Sequence, residues 1–492
     1  MTVRGRAAGG WRRALTTLAS AALVAATSST ALLWTAPTAM GAPAVTAVGE
    51  SVTVALTGVS AASLRPGATY TLGGTLRNLS SAPVRSLSVR MRLAWERLDG
   101  KAITAWAARS PTDGVGVVWA TKPISGVLAP GAAVSFSVAG PADALGLPIV
   151  DGFGPRGLAV EVVGDTGDGV RRLALLRSFV VWDPGADAVQ TQVSVLAPIT
   201  PPDEAASSDA GVAGAEVLRE WGRDGRLSRI LTATADPAIG WAIDPSLLTA
   251  AALAQGLTSA ADAAAGDSGS GTSAASPKAS PSADPSPAAV DPVKAATAKA
   301  WSEALGTAAR DRDVYALPWG DPDLVALARA GAADLLAAAQ DDAVSAGRRV
   351  FGRNLDHTLA LPVDGQVDGA TVAMLGRTKG RTIVMSHSAL PESTSPEEVA
   401  TGRIALPGVR RDVTALVADP ELGAAVAAMG GTQPLLGTQR VLAELAAHSV
   451  GADAANPPGV VAALPRGWDP VQPEEMATGV ALLRTVPWIH VE

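Results

Sequence analysis

Not one of the 492 residues is cysteine. Disulfides and thiolate metal sites are excluded, so the cores must hold by burial alone. Histidine is almost as scarce. There are four, His357, His387, His448 and His490, and no two are spaced to share a helix face as zinc-binding pairs do. Neither a metal site nor a cofactor is expected. No G-x-G-x-x-G or phosphate-loop motif appears, which removes the main support for nucleotide binding, and Ser386-His387-Ser388 lacks the G-x-S-x-G elbow of serine hydrolases. After residue 44 no apolar run approaches the roughly 18 to 20 residues of a membrane-crossing helix.

Positive charge is also in short supply. The formal net charge is −7, and residues 1–44 hold four arginines and no acid, so removing them takes −7 to −11. Such a surface repels nucleic-acid phosphates and anionic lipid, and no nucleic-acid partner is expected.

What is present begins with an export signature. Arg4, Arg6, Arg12 and Arg13 precede the apolar stretch "ALTTLASAALVAATSSTALLW" and the small residues "APTAMGAPA", in the order of a signal peptide. Residues 1–44 are read as that signal, cut near Ala42 or Ala44, with an uncleaved anchor as the alternative. An exported protein, extracellular or associated with the cell envelope, is expected. The length beyond it suits two cores.

Residues 45–188 alternate as short strands, among them "ATYTLGGTLRN", "VRSLSVRMRLAW" and "AAVSFSVAG", separated by turn signals such as "RPG" and "GDTGDG". The pattern predicts an immunoglobulin-like β-sandwich. In "SLSVRMRL" Leu87, Val89, Met91 and Leu93 face inward, which leaves Arg90 and Arg92 on a solvated face. Asn78-Leu79-Ser80 reads as a turn.

Over residues 189–492 the rhythm changes to apolar runs, each leading into an Ala-rich amphipathic stretch. The runs are "VSVLAPI", "AIGWAIDP", "DVYALPWGDP", "HTLALPVDG", "RTIVMSHS", "VTALVADP" and "GVVAALPRGWDP". Repeated β-then-α units imply a parallel sheet with crossover helices, and seven of them favour a closed or nearly closed (β/α) barrel. Within this half, residues 257–292 are rich in Ser, Pro and Ala and cannot bury enough apolar surface to order themselves, so they read as a disordered insertion.

Where each run stops stands a polar residue: Asp244, Asp321 and Asp323, Asp364, His387, Asp419 and Arg466. In a parallel barrel these positions share the rim on which active sites are built. The same acids before proline have the form of helix caps, which is the simpler role for Asp244, Asp321 and Asp419. Asp364 differs, because Gly365 follows it and Asp368 stands where the next helix needs an acceptor. That leaves Asp364 either facing the cleft, within reach of Asp244 or His387, or serving only as the turn residue of an Asp-Gly pair. Asp244 and Asp364 are the candidate pair for the two acids that glycoside hydrolysis requires, and His387 is a candidate base or donor. Asp321 and Arg466 are candidate binding residues, and Trp319, Trp468 and Trp488 offer either a sugar-stacking wall or ordinary packing.

The segments "GGTLRNLSSAPV", "WAIDPSLL", "YALPWGDPDL", "LPVDGQVDGATVAML", "TIVMSHSALP" and "PRGW" resemble a domain-of-unknown-function family of actinobacterial exported proteins, typically encoded near the lipid II flippase. The resemblance spans most of residues 50–490. It implies a sandwich followed by a barrel resembling those of glycoside hydrolases and polysaccharide deacetylases, and a place in the cell envelope. Members usually continue into a further segment ending in a membrane helix, whereas no transmembrane helix is expected here after the signal segment. It brings no activity with it, and the histidine pair of true deacetylases is absent. The expectation is a protein whose rim binds a cell-wall glycan or an envelope protein of the peptidoglycan machinery. The alternative is a glycoside hydrolase or related enzyme using rim carboxylates.

Overall fold

The computed structural model describes residues 51–185, 188–202, 215–257, 290–390, 394 and 400–492. The expected signal segment and most of the Ser/Pro/Ala-rich insertion lie outside them.

The first half contains β1 (Val52–Val59), β2 (Ser63–Leu64), β3 (Thr69–Asn78), β4 (Arg85–Arg97), helix α1 (Gly100–Ala108), β5 (Val117–Pro123), β6 (Ala133–Pro141), β7 (Gly154–Asp165) and β8 (Val170–Trp182). They form two sheets, β1-β3-β6 and β2-β8-β7-β4-β5, antiparallel except for the short parallel pair β2/β8. On β4 the alternation places Leu87, Val89, Met91 and Leu93 in the core between the sheets, where none is more than 2% exposed. The opposite face is not simply solvated. Arg90 and Arg92 converge with Arg172 on Glu161, a 4% exposed carboxylate of β7. Against burial, which pushes it up, Arg172 and Arg92 hold the Glu161 pKa below the ordinary range. Asn78 is fully buried and organises its turn, donating to the Ala82 and Leu128 carbonyls and accepting from Ser80.

The second half contains β9 (Thr191–Ile199), α2 (Ala215–Trp221), α3 (Arg226–Ala233), β10 (Ile239–Ile243), α4 (Pro245–Ala254), α5 (Pro292–Ala308), β11 (Val314–Ala316), α6 (Leu324–Arg329), α7 (Ala333–Phe351), β12 (Leu359–Ala360), α8 (Gly369–Leu375), β13 (Thr382–Ser386), β14 (Arg403–Leu406), β15 (Val413–Ala418), α9 (Pro420–Ala428), α10 (Pro434–Ser449), β16 (Gly459–Ala463), α11 (Pro473–Leu483) and β17 (Ile489–Val491). Each of the seven apolar runs is a strand of one parallel path, β11-β10-β9-β16-β15-β13-β12, with β14 added antiparallel on β15 and β17 parallel on β9.

This corrects the expected fold class. The chain is a mixed α/β protein with an open, half-barrel parallel sheet, and the regular (β/α) barrel does not form. The ends of the path, β11 and β12, are three and two residues long, and an isolated bridge from Tyr315 of β11 to Asp356, three residues before β12, pairs these two stretches of chain. Prolines 318 and 362, just beyond these strands, have no N–H to extend a ladder. Nor is the first half an all-antiparallel immunoglobulin-like sandwich, since it carries the β2/β8 parallel pair and α1.

Helix α10 joins the halves. One side packs on β7 and β8, and the other on α9 and α11. It also reaches α1 through Ala443, in a cluster with Ile103, Trp106, Leu175 and Phe179. This second covering explains why β7 is buried at nearly every position instead of alternating.

Candidate functional site

The C-terminal ends of the parallel strands bring most of the candidate residues to one edge of the sheet. Asp244 ends β10 and caps α4. Its Oδ1 accepts from the backbone N–H of Ser246 at 2.9 Å and of Gly320 at 3.0 Å, so one carboxylate starts a helix and ties down the turn after β11. The residue is fully buried, and neither Asp244 Oδ2 nor the adjacent Ser246 Oγ has a hydrogen-bond partner among the described residues. Burial pushes the Asp244 pKa up to about 6, and the negative charge of Asp321 adds to the rise.

Asp321 is not a cap. Asp323 takes that role for α6, accepting from Val325 and Ala326 N–H. With φ of 39°, Asp321 sits in the left-handed region and grips Arg466 with both carboxylate oxygens. Arg466 follows β16 and also donates to the carbonyls of Leu361 and Pro362 after β12. Its own carbonyl accepts from Arg226, which donates in addition to Thr200 O at 2.7 Å and pairs with Glu220 at 2.8 Å. The two arginines thus lace together the ends of β9, β11, β12 and β16.

Farther along the edge the residues are open. Asp364 is exposed, with φ of 52°, in a single 3-10 turn after β12. Its carboxylate makes no hydrogen bond among the described residues. The structure therefore does not pair it with Asp244 or His387, and the turn role is the one its geometry displays. Asp368 caps α8 through Thr371 N–H and pairs with Arg329. His387 is exposed beside Ser386 and Ser388, whose hydroxyls lie 2.8 Å apart. Asp419 caps α9 and faces His448, with 3.6 Å between Oδ2 and Nε2. Trp319 is 42% exposed, whereas Trp468 and Trp488 are packed in the core, Trp468 donating to Ala427 O. Of the expected stacking wall, one tryptophan stands at the surface. No group of three or more His, Asp or Glu side chains among the described residues is placed to hold a metal ion.

The family model described as "Family of unknown function (DUF6049)" matches residues 11–492. The chain belongs to this family. Among curated proteins none matches. Among solved structures this DUF6049 protein is similar to a human PapD-like domain at 13% identity and a TM-score of 0.16, covering 27% of this chain and 85% of that one. It is also similar to a β-glucuronidase of glycoside hydrolase family 2, at 10% identity and 0.17, covering 68% and 30%. A third is a Paenibacillus cycloisomaltooligosaccharide glucanotransferase, at 11% and 0.20, covering 68% and 48%. The chain spans less than half the length of these two enzymes. At such scores the likenesses carry no argument about activity.

Arg226 and Thr200, both part of this lacing in the DUF6049 chain, were not singled out by sequence. Arg226 opens a short amphipathic helix and looks like any other surface arginine. Its 8% exposure follows only from where β9 and β16 end.

Proposed function

We propose that this protein is an exported cell-envelope protein that binds a cell-wall glycan, or a protein partner of the peptidoglycan machinery, along the strand-end edge. One observation carries the reading: the acids of that edge are used to hold it together. Asp244, Asp323, Asp368 and Asp419 cap helices, and Asp321 is committed to Arg466. What faces solvent is Trp319, Val363, Asp364 and His387, an apolar and polar mixture suited to contact.

Retention of purified residues 45–492 on insoluble peptidoglycan and on anionic wall polymers tests it, with Trp319→Ala expected to weaken retention about tenfold. If the protein stays in the supernatant with every polymer, and envelope extracts yield no partner that W319A loses, the reading fails.

A second reading, a carbohydrate-active enzyme, is favoured by Asp244 alone. It is a buried acid held neutral to about pH 6 beside an ionised pair, the pattern of a general acid. Its neighbour is Asp321, not Asp364. Release of reducing ends from the same polymers by wild type but not by Asp244→Asn is the result that would select it.

A further inference from the structure

At the end of the parallel sheet opposite the strand-end edge, two loops touch. Residues 376–381 lead into β13, and residues 408–412 lead into β15. Arg411 Nη2 donates to the carbonyl of Thr378 and, at 3.4 Å, to that of Gly380, and Thr414 N–H donates to Arg381 O at 2.9 Å. Glycine on both sides permits the approach. A Cβ on Gly376 would stand 3.1 Å from Val409 N, and one on Gly408 would lie 2.0 Å from Arg411 O.

The two loops hold Arg377, Lys379, Arg381, Arg410 and Arg411 against one acid, Asp412, in a chain whose acids outnumber its lysines and arginines 46 to 39. The surrounding acids leave most of this charge unmatched. Asp341 on α7 pairs with Lys379, and Asp356 accepts from the N–H and the hydroxyl of Thr358, both at 2.7 Å. Asp412 and Asp342 are exposed and pair with none of the five cations. Arg377, Arg381 and Arg410 are exposed as well, and their guanidiniums have no hydrogen bond or ion pair among the described residues.

We propose that these loops form an anion-binding surface for a flexible phosphate-bearing polymer of the polyol phosphate class. Guanidinium forks match phosphate oxygens, and three unpaired ones have no protein partner to give up on binding. On a molecule of net negative charge, such a cluster gives a polyanion one place to settle. Neither loop has an aromatic residue for a nucleic-acid base to stack on. Val409, 56% exposed, is the one large apolar side chain that the loops expose, too little to enter a bilayer. The surface is distinct from the strand-end edge, because β13 and β15, five and six residues long, run from one to the other.

Fluorescently labelled poly(glycerol phosphate), titrated with the whole protein at 50 and at about 150 mM salt, tests the surface. Wild type should bind, more weakly at the higher salt. The triple variant Arg377→Gln, Arg381→Gln, Arg410→Gln should bind at least about tenfold more weakly and flatten the logarithmic salt slope by about 2. A control with the same change in charge, Arg77→Gln, Arg85→Gln, Arg223→Gln, replaces exposed arginines elsewhere and should bind as wild type does, as should Trp319→Ala. Should the patch triple fail to fold, Arg377→Gln and Arg410→Gln singly carry the test, each expected to weaken binding about threefold. The proposal is overturned if wild type does not bind, if the control triple loses as much as the patch triple, or if W319A abolishes binding, which would place the polymer on the strand-end edge. Tighter binding to polygalacturonate, to single-stranded DNA or to vesicles rich in phosphatidylglycerol would overturn it equally, by assigning the surface to a different partner.

Discussion

At the scale of single residues, neighbours in one short stretch divide their duties. Asp368 accepts from both the N–H and the hydroxyl of Thr371 and pairs with Arg329, and these bonds, the Thr371 hydroxyl first, hold its pKa down at about 2. Asp368→Ala is expected to cost about 1 kcal/mol in a urea melt at neutral pH, as loss of a cap does. A depressed folded pKa makes that contribution present above about pH 4 and lost toward pH 2. Asp364 has an exposed side chain and a left-handed backbone, so Asp364→Gly should leave the melting temperature unchanged while Asp364→Val lowers it. Asp244 combines a cap with an orphaned oxygen. Asp244→Asn keeps Oδ1 and removes a charge that burial opposes. Its melting temperature should therefore exceed that of wild type at pH 7.5 and match it at pH 4. An unfolded or uniformly destabilised D244N would show that the ionised carboxylate is what the turn at Gly320 needs.

At the scale of elements, close backbone approaches decide what fits. Gly437 opens α10 against α9, and a Cβ there would come within 2.5 Å of the Ala428 carbonyl carbon and Met429 N. Alanine in place of glycine favours an isolated helix by about 1 kcal/mol. Here Gly437→Ala should instead destabilise by about 1 to 3 kcal/mol, because two packed helices must separate. Equilibrium denaturation gives the sign directly. Gly365 presents the same conflict between β12 and β13: its Cβ would lie 2.4 Å from Ser386 N, at a φ of 65°. The Gly365 approach adds to the two-residue ladder of β12 in holding this strand end against β13.

At the scale of the whole molecule, α10 makes the halves interdependent. Its Gln439 donates to Tyr70 OH and accepts from Ser178, both in the sandwich, while Leu445 and Leu442 belong to the core around β9. Burial pushes the Tyr70 hydroxyl well above its ordinary pKa, so it remains neutral in this contact. Residues 45–492 should unfold in one calorimetric transition, and two well-separated transitions would contradict this. The charged groups also set an overall pH profile. Glu161, Asp368 and Asp419 have lowered pKa values and favour the fold as pH rises out of the acid range. Asp244 and Glu444 have raised values and oppose it between about pH 4 and pH 7. The melting temperature at constant ionic strength should peak near about pH 4 to 5, and a steady rise from pH 4 to 7 would refute that account.

The sequence by itself determined the local order. Period-two alternation on β4, the seven apolar runs, and the acid-before-proline helix starts at Asp244 and Asp419 are properties of near neighbours, and short-range sterics and capping suffice to specify them. The tertiary structure alone decided how far the sheet closes, because that depends on how many ladder bonds β11 and β12 can form across the molecule. It also chose Asp321 over Asp364 as the neighbour of Asp244, and it buried Trp468 while exposing Trp319. It turned Arg90 and Arg92 from a wet face into partners of Glu161, and drew Arg226 and Arg440 into contacts with residues far away in the chain. Spacing along a chain shows which side of an element a residue occupies, but only the packed molecule shows what that side meets.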